Sequence, residues 1–158
     1  PESKTEIMAD TPYKPIMSVA DLEAFIERDF PQVHMDGRVF HIASVEPGAT
    51  TMRLEPKERH LRPGGTVSGP TLFTMADVCA YMVILAHIGP AKHTVTTNLN
   101  INFMHKAAPG PIVCTGRLLK LGKRLAVVEA TITDEEGTIV AHATATYSIP
   151  PGRKDTVK

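Results

Sequence analysis

Hydrophobic residues recur at helical spacing early in this chain, over residues 22–30, with polar residues at most positions between them. Ser18 and Asp21 form a capping signal in front of this segment, and Pro31 follows it, which predicts a short amphipathic helix. Further along, residues 72–88 are apolar at nearly every position. This second pattern predicts a helix that is covered on most sides, because a surface helix would carry a polar face.

Six segments have the composition or the alternation of β-strands: 38–46, 49–55, 95–103, 112–121, 124–133 and 138–149. The clearest alternation is in 95–103, where one predicted face carries Val95, Thr97, Leu99, Ile101 and Phe103 and the other carries Thr96, Asn98, Asn100 and Asn102. Turn signals such as Pro47-Gly48 separate neighbouring strands and favour hairpins. The strands are therefore expected to form a mostly antiparallel sheet.

The long apolar segment contains one charge, at Asp77, and it is expected to be a core helix of the domain. Pro70 suits the first helical position, and Gly89-Pro90 is a stop signal, which predicts a helix over 70–88. Its apolar run of about 17 residues is at the lower limit for crossing a bilayer. A carboxylate in the middle would be costly in lipid, so no membrane partner is expected.

The order of elements predicts an α+β domain in which a curved, mostly antiparallel sheet wraps the long helix. The 158 residues fit one domain, which we place at 18–150. Residues 1–17 carry three prolines and predict an extended arm, and residues 151–158 predict a flexible tail.

Composition excludes several classes of partner. Seventeen basic and seventeen acidic residues give a net charge of zero, which argues against nucleic acid. The two cysteines and the missing signal-peptide pattern favour a cytoplasmic protein. The seven histidines show no ligand spacing, and no nucleotide-binding glycine motif is present, so we expect neither a metal nor a cofactor.

Asp77 is the main candidate for chemistry, because an ionised carboxylate among apolar side chains needs compensation. Anchoring of the helix by hydrogen bonds alone would also explain such a residue. Gly69 lies at the start of the same helix, where free N–H groups and the helix dipole favour developing negative charge. A carboxylate base near such a site is the minimum for acyl hydrolysis.

The chain resembles the hotdog-fold acyl-CoA thioesterases of the phenylacetate-pathway type over residues 35–149. The resemblance is carried by HLRPGGTVSGPTLFTMAD at 60–77, the strand TVTTNLNINFMHK and the turn LKLGKRLAVVEA. That family shows N-x-x-G-x-x-H-G-G-x6-[DE]. Its acidic residue falls on Asp77, its oxyanion glycine on Gly69, its preceding glycine on Gly65, and a helper Ser/Thr on Thr96.

Three positions depart from the family motif. Its His is Ser68 here, its second glycine is Pro70 and its upstream Asn is Arg62. The change at Pro70 keeps the oxyanion N–H of Gly69, whereas Arg62 could clamp a carboxylate or phosphate in place of the amide. The missing His counts against the dehydratases and hydratases that share this fold.

The resemblance implies hydrolysis of an acyl-CoA thioester, with coenzyme A as part of the substrate. Asp77 would act as base or nucleophile beside Gly69 of a second subunit, with Ser68, Thr96 and Asn98 in the site. The cations expected near the phosphates are Lys106, Lys123 and Arg124, although ordinary solvated turns would explain them equally well. A homodimer or a dimer of dimers is implied, and a non-catalytic acyl-CoA or small-lipid binding protein is the alternative.

Overall fold

The computed structural model describes residues 11–35 and 37–151, which form two α-helices, six strands and two short 3₁₀ helices, Pro31–His34 and Glu58–His60. In chain order the α-helices and strands are α1 (Val19–Asp29), β1 (Phe40–Glu46), β2 (Ala49–Leu54), α2 (Gly69–Ile88), β3 (Val95–Phe103), β4 (Ile112–Leu121), β5 (Leu125–Thr133) and β6 (Ile139–Ser148). The predicted elements are all present, with small differences at their ends. The first ten residues of the predicted arm and nearly all of the predicted tail lie outside the described residues.

Helix α1 begins as its sequence predicts. The Ser18 hydroxyl accepts a hydrogen bond from the Asp21 N–H at 3.1 Å, and the Asp21 carboxylate accepts one from the Ser18 N–H at 2.9 Å. This reciprocal capping box satisfies two backbone donors that the first turn leaves free. The helix buries Leu22, Phe25 and Ile26. Phe30, the residue that caps its C-terminus, packs its ring edge-on against Tyr81 of the long helix.

The six strands form one antiparallel sheet in the order β1-β2-β4-β5-β6-β3. Helix α2 contacts five of these strands, β2 to β6, so the sheet curves around it. The sheet does not close, and β1 and β3 are its two edges. This is the α+β architecture that the sequence predicts, with the long helix at its centre.

Gly116 in β4 sets how closely α2 approaches the sheet. A Cβ atom at this position would lie 3.2 Å from the Cys79 sulfur and 3.4 Å from the Cys79 carbonyl oxygen. Cys79 and Cys114 are free and fully buried at this contact. The Cys79 thiol donates to backbone carbonyls, and its contact together with burial raises the pKa of the Cys114 thiol. Both thiols are therefore unreactive packing groups.

Helix α2 is buried except along one stripe. Its length and composition would allow it to span a bilayer, yet 78% of its most apolar window is buried within the fold. The stripe that remains open is formed by Pro70, Phe73, Thr74 and Asp77, which recur three or four residues apart. The only charged side chain of the helix thus lies on its uncovered side.

Candidate functional site

One oxygen of the Asp77 carboxylate is held by two hydroxyl groups. The Thr96 hydroxyl donates to Asp77 Oδ1 at 2.6 Å, and the Tyr147 phenol lies 2.5 Å from the same oxygen. The phenol oxygen also lies 2.7 Å from the Asp77 carbonyl oxygen. In the described part of the chain no donor is bonded to Asp77 Oδ2. This second oxygen is therefore available to a substrate or a water molecule.

A β-bulge in β3 directs Thr96 toward Asp77. Thr96 lies opposite Tyr147 on β6, whereas Asn98 lies opposite Thr146, so Thr97 is an extra residue in the ladder. Such a bulge changes which face of the sheet the flanking side chains occupy. Thr96 therefore points to the helix side, and Asn98 points to the opposite side. The prediction that these two residues share one face of the sheet is wrong for this reason.

Asp77 opens into a cavity of about 380 Å³. Thr96, Tyr147, Tyr81 and Lys92 contribute to its walls. Burial, reinforced by the nearby Asp77 charge, raises the pKa of Tyr147 well above its usual range. Burial and the charge of Asp29 raise the pKa of Tyr81 to about 12. Both phenols therefore remain protonated near neutral pH.

Tyr147 is a site residue that sequence reasoning missed. The alternation along β6 predicts that its side chain shares a face with Ala143 and Ala145. The sequence contains no signal that this face meets Asp77, because the contact joins residues 70 positions apart and depends on how β6 pairs with β3. The structure places the ring 2% exposed and stacked on Tyr81, with a centroid distance of 6.2 Å.

The Gly69 N–H is the free backbone donor at the start of α2. Ser68 is the N-cap: its hydroxyl accepts from the Thr71 N–H at 3.3 Å, and its carbonyl accepts from the Leu72 N–H at 3.1 Å. Pro70 has no N–H. Within residues 11–35 and 37–151 the Gly69 N–H has no acceptor. A free donor at the positive end of a helix dipole is suited to an oxyanion.

Gly69 lines a second cavity, of about 320 Å³, together with Arg62, Phe103 and Lys106. Gly65 does not line this cavity and instead forms part of the loop that precedes α2. Its N–H donates to the Arg62 carbonyl at 3.0 Å, and its φ of +84° is a conformation that favours glycine. Two of the predicted cations, Arg62 and Lys106, thus lie close to the predicted oxyanion donor.

The two cavities are separate within one chain. Gly69 and Asp77 are eight residues apart on α2, which corresponds to about 12 Å along the helix axis. Lys123 and Arg124 line neither cavity and lie in the turn between β4 and β5. That turn is at the same end of the sheet as Thr96, since Leu125, Ser148 and Val95 pair in one row.

Over the described ranges, no three or more His, Cys, Asp or Glu side chains lie together in a way that could hold a metal ion.

Comparison with known proteins assigns the family. Residues 64–141 match the model of the thioesterase superfamily. A crystal structure of a "putative thioesterase" from Silicibacter sp. TM1040 is 44% identical, covers 88% of this chain and 96% of its own chain, and has a TM-score of 0.79. This chain belongs to the thioesterase superfamily. The agreement in structure also confirms the predicted hotdog fold.

Two further proteins are similar to this superfamily protein. A "putative esterase" of Saccharolobus solfataricus is 28% identical over 108 residues, which are 68% of this chain and 76% of the relative. A structure from Streptococcus mutans UA159, described as bound to acetyl CoA, is 26% identical with a TM-score of 0.64 and covers 70% of this chain and 88% of its own.

Proposed function

We propose that this superfamily member is an acyl-CoA thioesterase of the phenylacetate-pathway type, which hydrolyses the thioester to a free acid and coenzyme A. The observation that carries the proposal is the Asp77 carboxylate, which lines a cavity, with two hydroxyls at Oδ1 and no donor at Oδ2 among the described residues. The free Gly69 N–H supplies the second requirement, a donor for the thioester oxygen. The acetyl CoA in the Streptococcus mutans relative supports the substrate class.

The two halves of the proposed site lie at opposite ends of β3. Asp77 is bonded to Thr96 at one end, and Gly69 lies against the Phe103 ring at the other. The outer edge of β3 has no partner strand among the described residues, and the Phe103 side chain is 55% exposed. An exposed apolar edge of this kind favours pairing with a second copy.

A two-fold dimer through β3 would complete the site. Two copies that pair this edge about a two-fold axis run antiparallel, so the Thr96 end of one meets the Phe103 end of the other. Asp77 of one copy then faces Gly69 of the second copy. The separation of about 12 Å within one chain is no obstacle in this arrangement, because each site takes one half from each copy.

In the proposed reaction the Gly69 N–H donates to the thioester carbonyl while Asp77 Oδ2 takes a proton from water. The water oxygen bonds to the carbonyl carbon, the carbon–sulfur bond breaks, and the proton passes to the departing sulfur of coenzyme A. In the second possible route Oδ2 attacks the carbonyl carbon, the carbon–sulfur bond breaks and coenzyme A leaves as the thiolate. Water then hydrolyses the acyl-carboxylate anhydride, which restores the Asp77 carboxylate, releases the acid and supplies the proton that the thiolate takes up.

Charge and apolar surface suggest how the substrate lies. Arg62 and Lys106 line the cavity at Gly69 and suit the phosphates of coenzyme A. The cavity at Asp77 shares Phe30 and Val78 with a further cavity of about 320 Å³. That further cavity includes the apolar side chains Val33, Val39 and Phe40 and is suited to the acyl group.

A panel of acyl-CoA substrates with a thiol-trapping dye tests the function. We expect hydrolysis of at least one substrate, and a fall in kcat/KM by about 10²–10⁴ in Asp77→Asn, which keeps the shape but removes the base. Glu136→Gln, at an exposed turn, is the matched control and is expected to match the unmodified protein. Binding of acyl-CoA without turnover, unaltered by Asp77→Asn, would instead indicate a binding protein.

A further inference from the structure

We propose that Tyr147 is a positioning residue for Asp77, which fixes Oδ1 and thereby makes Oδ2 the reacting oxygen. The inference rests on the proposed function, in which Asp77 is the base or nucleophile. Tyr147 is contributed by β6 and reaches both the carboxylate and the main-chain carbonyl of Asp77, at 2.5 and 2.7 Å. No family motif quoted above includes this residue.

Counting donors shows why the two carboxylate oxygens differ. Tyr147 and Thr96 each have one hydroxyl hydrogen, and both hydroxyls lie within hydrogen-bond distance of Oδ1. An oxygen that accepts two such bonds is a poorer base, because its lone pairs are engaged. Oδ2 has no donor among the described residues, and Asp77 lines the cavity. The proton or the acyl carbon therefore arrives at Oδ2.

The Tyr147 ring is held more firmly than the Thr96 side chain. It is 2% exposed, whereas Thr96 lies on the exposed edge strand. Tyr147 is paired with Ala126 on β5 and with Thr96 on β3, so strands on both sides fix its backbone. Its ring stacks on Tyr81, whose own hydroxyl donates to the Lys92 carbonyl at 3.0 Å.

A second contact fixes the carboxylate relative to the helix. The phenol oxygen lies near both Oδ1 and the Asp77 carbonyl oxygen, so its single hydrogen is shared between an oxygen of the side chain and one of the backbone. Rotation of the carboxylate would break one of these contacts. A base held in this way keeps the geometry that an attack on the thioester needs, and misplacement by about 1 Å can cost about 10²-fold in rate.

The test compares Tyr147→Phe with Tyr13→Phe. Each variant loses one phenol hydroxyl and keeps its ring, but Tyr13 packs edge-on against His87 and lines neither the cavity at Asp77 nor the cavity at Gly69. With the best acyl-CoA, we expect Tyr147→Phe to lower kcat by about 10- to 100-fold with KM changed less than about threefold. Tyr13→Phe is expected to keep kcat within about threefold.

The division of the effect between kcat and KM separates positioning from a change in the shape of the pocket. Loss of positioning of Asp77 lowers kcat at a nearly unchanged KM, whereas a distorted cavity also raises KM. A kcat equal to that of the unmodified protein would overturn the inference while the proposed function stands.

If no acyl-CoA is hydrolysed, the proposed function fails but the inference about Tyr147 can still be tested. The test is a measurement without substrate. The carboxyl carbon of Asp77, labelled with ¹³C, is observed by NMR at one fixed neutral pH. Its chemical shift should change in Tyr147→Phe, which removes one of the two hydroxyls at Oδ1, and should stay the same in Tyr13→Phe. Should Tyr147→Phe fail to fold, the ring ¹³Cζ signal of Tyr147 should differ between the unmodified protein and Asp77→Asn. A Tyr147 signal that is the same in both would overturn the inference.

Discussion

Individual atoms in this protein become candidates for chemistry because the fold leaves them without partners. Asp77 Oδ1 accepts from two hydroxyls, whereas Oδ2 has none among the described residues. At the start of α2 the Ser68 cap satisfies the N–H groups of Thr71 and Leu72 and leaves that of Gly69. A proton acceptor and a hydrogen-bond donor thus remain available, which is what thioester hydrolysis requires.

Replacement of Gly69 by proline tests the backbone donor alone. Proline lacks the N–H and is tolerated at the first helical position, and Ser68 in front of it is already extended, with ψ of 150°. We expect Gly69→Pro to lower kcat by about 10²–10³, as the loss of one oxyanion donor does. Gly69→Ala keeps the N–H, and its Cβ would meet the Phe103 ring at an ordinary 3.4 Å. Equal kcat values for the two variants would rule out the donor role.

The sequence allowed Asp77, Gly69 and Thr96 to be selected, but it could not assign Tyr147 or the direction of Asn98. A charge in an apolar helix and a glycine in front of it are visible in the sequence itself. The pairing of Thr96 with Tyr147 depends on register, and the bulge at Thr97 breaks the strict alternation from which Asn98 was predicted. Such irregularities arise from tertiary packing, so a local pattern does not reveal them.

At the scale of the elements, the two ends of α2 have different roles, one in the proposed site and one in stability. Its first turn faces the proposed site, and its last turn is tied to the β1–β2 hairpin by His87. The His87 Nδ1–H donates to the Val83 carbonyl at 2.7 Å, and Nε2 accepts from the Gly48 N–H at 2.9 Å. This arrangement requires a neutral ring, and burial lowers the pKa of His87.

The free energy of unfolding should therefore fall in mild acid. Above the ordinary histidine pKa of about 6.5 the neutral His87 contributes its full stabilisation. Below that pH the unfolded chain takes up a proton that the folded chain refuses, so stability is lost until the pH passes the lowered native pKa. The free energy of unfolding changes by at most about 1.4 kcal/mol per pH unit for one proton.

Urea unfolding between pH 8 and pH 5 measures this effect. We expect the loss of stability to be smaller in His87→Gln, which cannot take up the proton in either state. His93→Gln removes an exposed imidazole instead and should keep the full pH dependence. A pH dependence that is the same in both variants would contradict the assignment to His87.

The bounds of the elements followed from the sequence closely because prolines and glycines mark them. Pro70 and Gly89 enclose α2, and Gly89 adopts a φ of +94°, which suits a helix stop. The near-continuous apolar run correctly predicted a central helix. It did not predict the open stripe at Phe73 and Asp77, because that depends on where the curved sheet ends.

The whole molecule holds the two halves of the proposed site at opposite ends of one exposed strand. A mixed dimer of Asp77→Asn and Gly69→Pro copies would combine one intact site with one doubly altered site. Random exchange of equal amounts should therefore restore about a quarter of the unmodified activity, since half of the dimers are mixed.

The two variants, each nearly inactive alone, are co-refolded and assayed, with two aliquots of Asp77→Asn co-refolded as the control. Activity that stays at the level of the separate variants would show that one chain supplies both groups. Light scattering that finds only monomer at micromolar concentration would exclude the shared site as well.

The uncovered edge of β3 also determines how the rate of hydrolysis would depend on the concentration of the protein. If only the dimer is active, the rate of hydrolysis grows with the square of the chain concentration while most chains are monomers. It becomes proportional to that concentration once most chains have dimerised. In a cell the shared site would therefore act as a threshold on expression. Low expression gives almost no hydrolysis, and a modest rise in expression then gives a steep rise in hydrolysis.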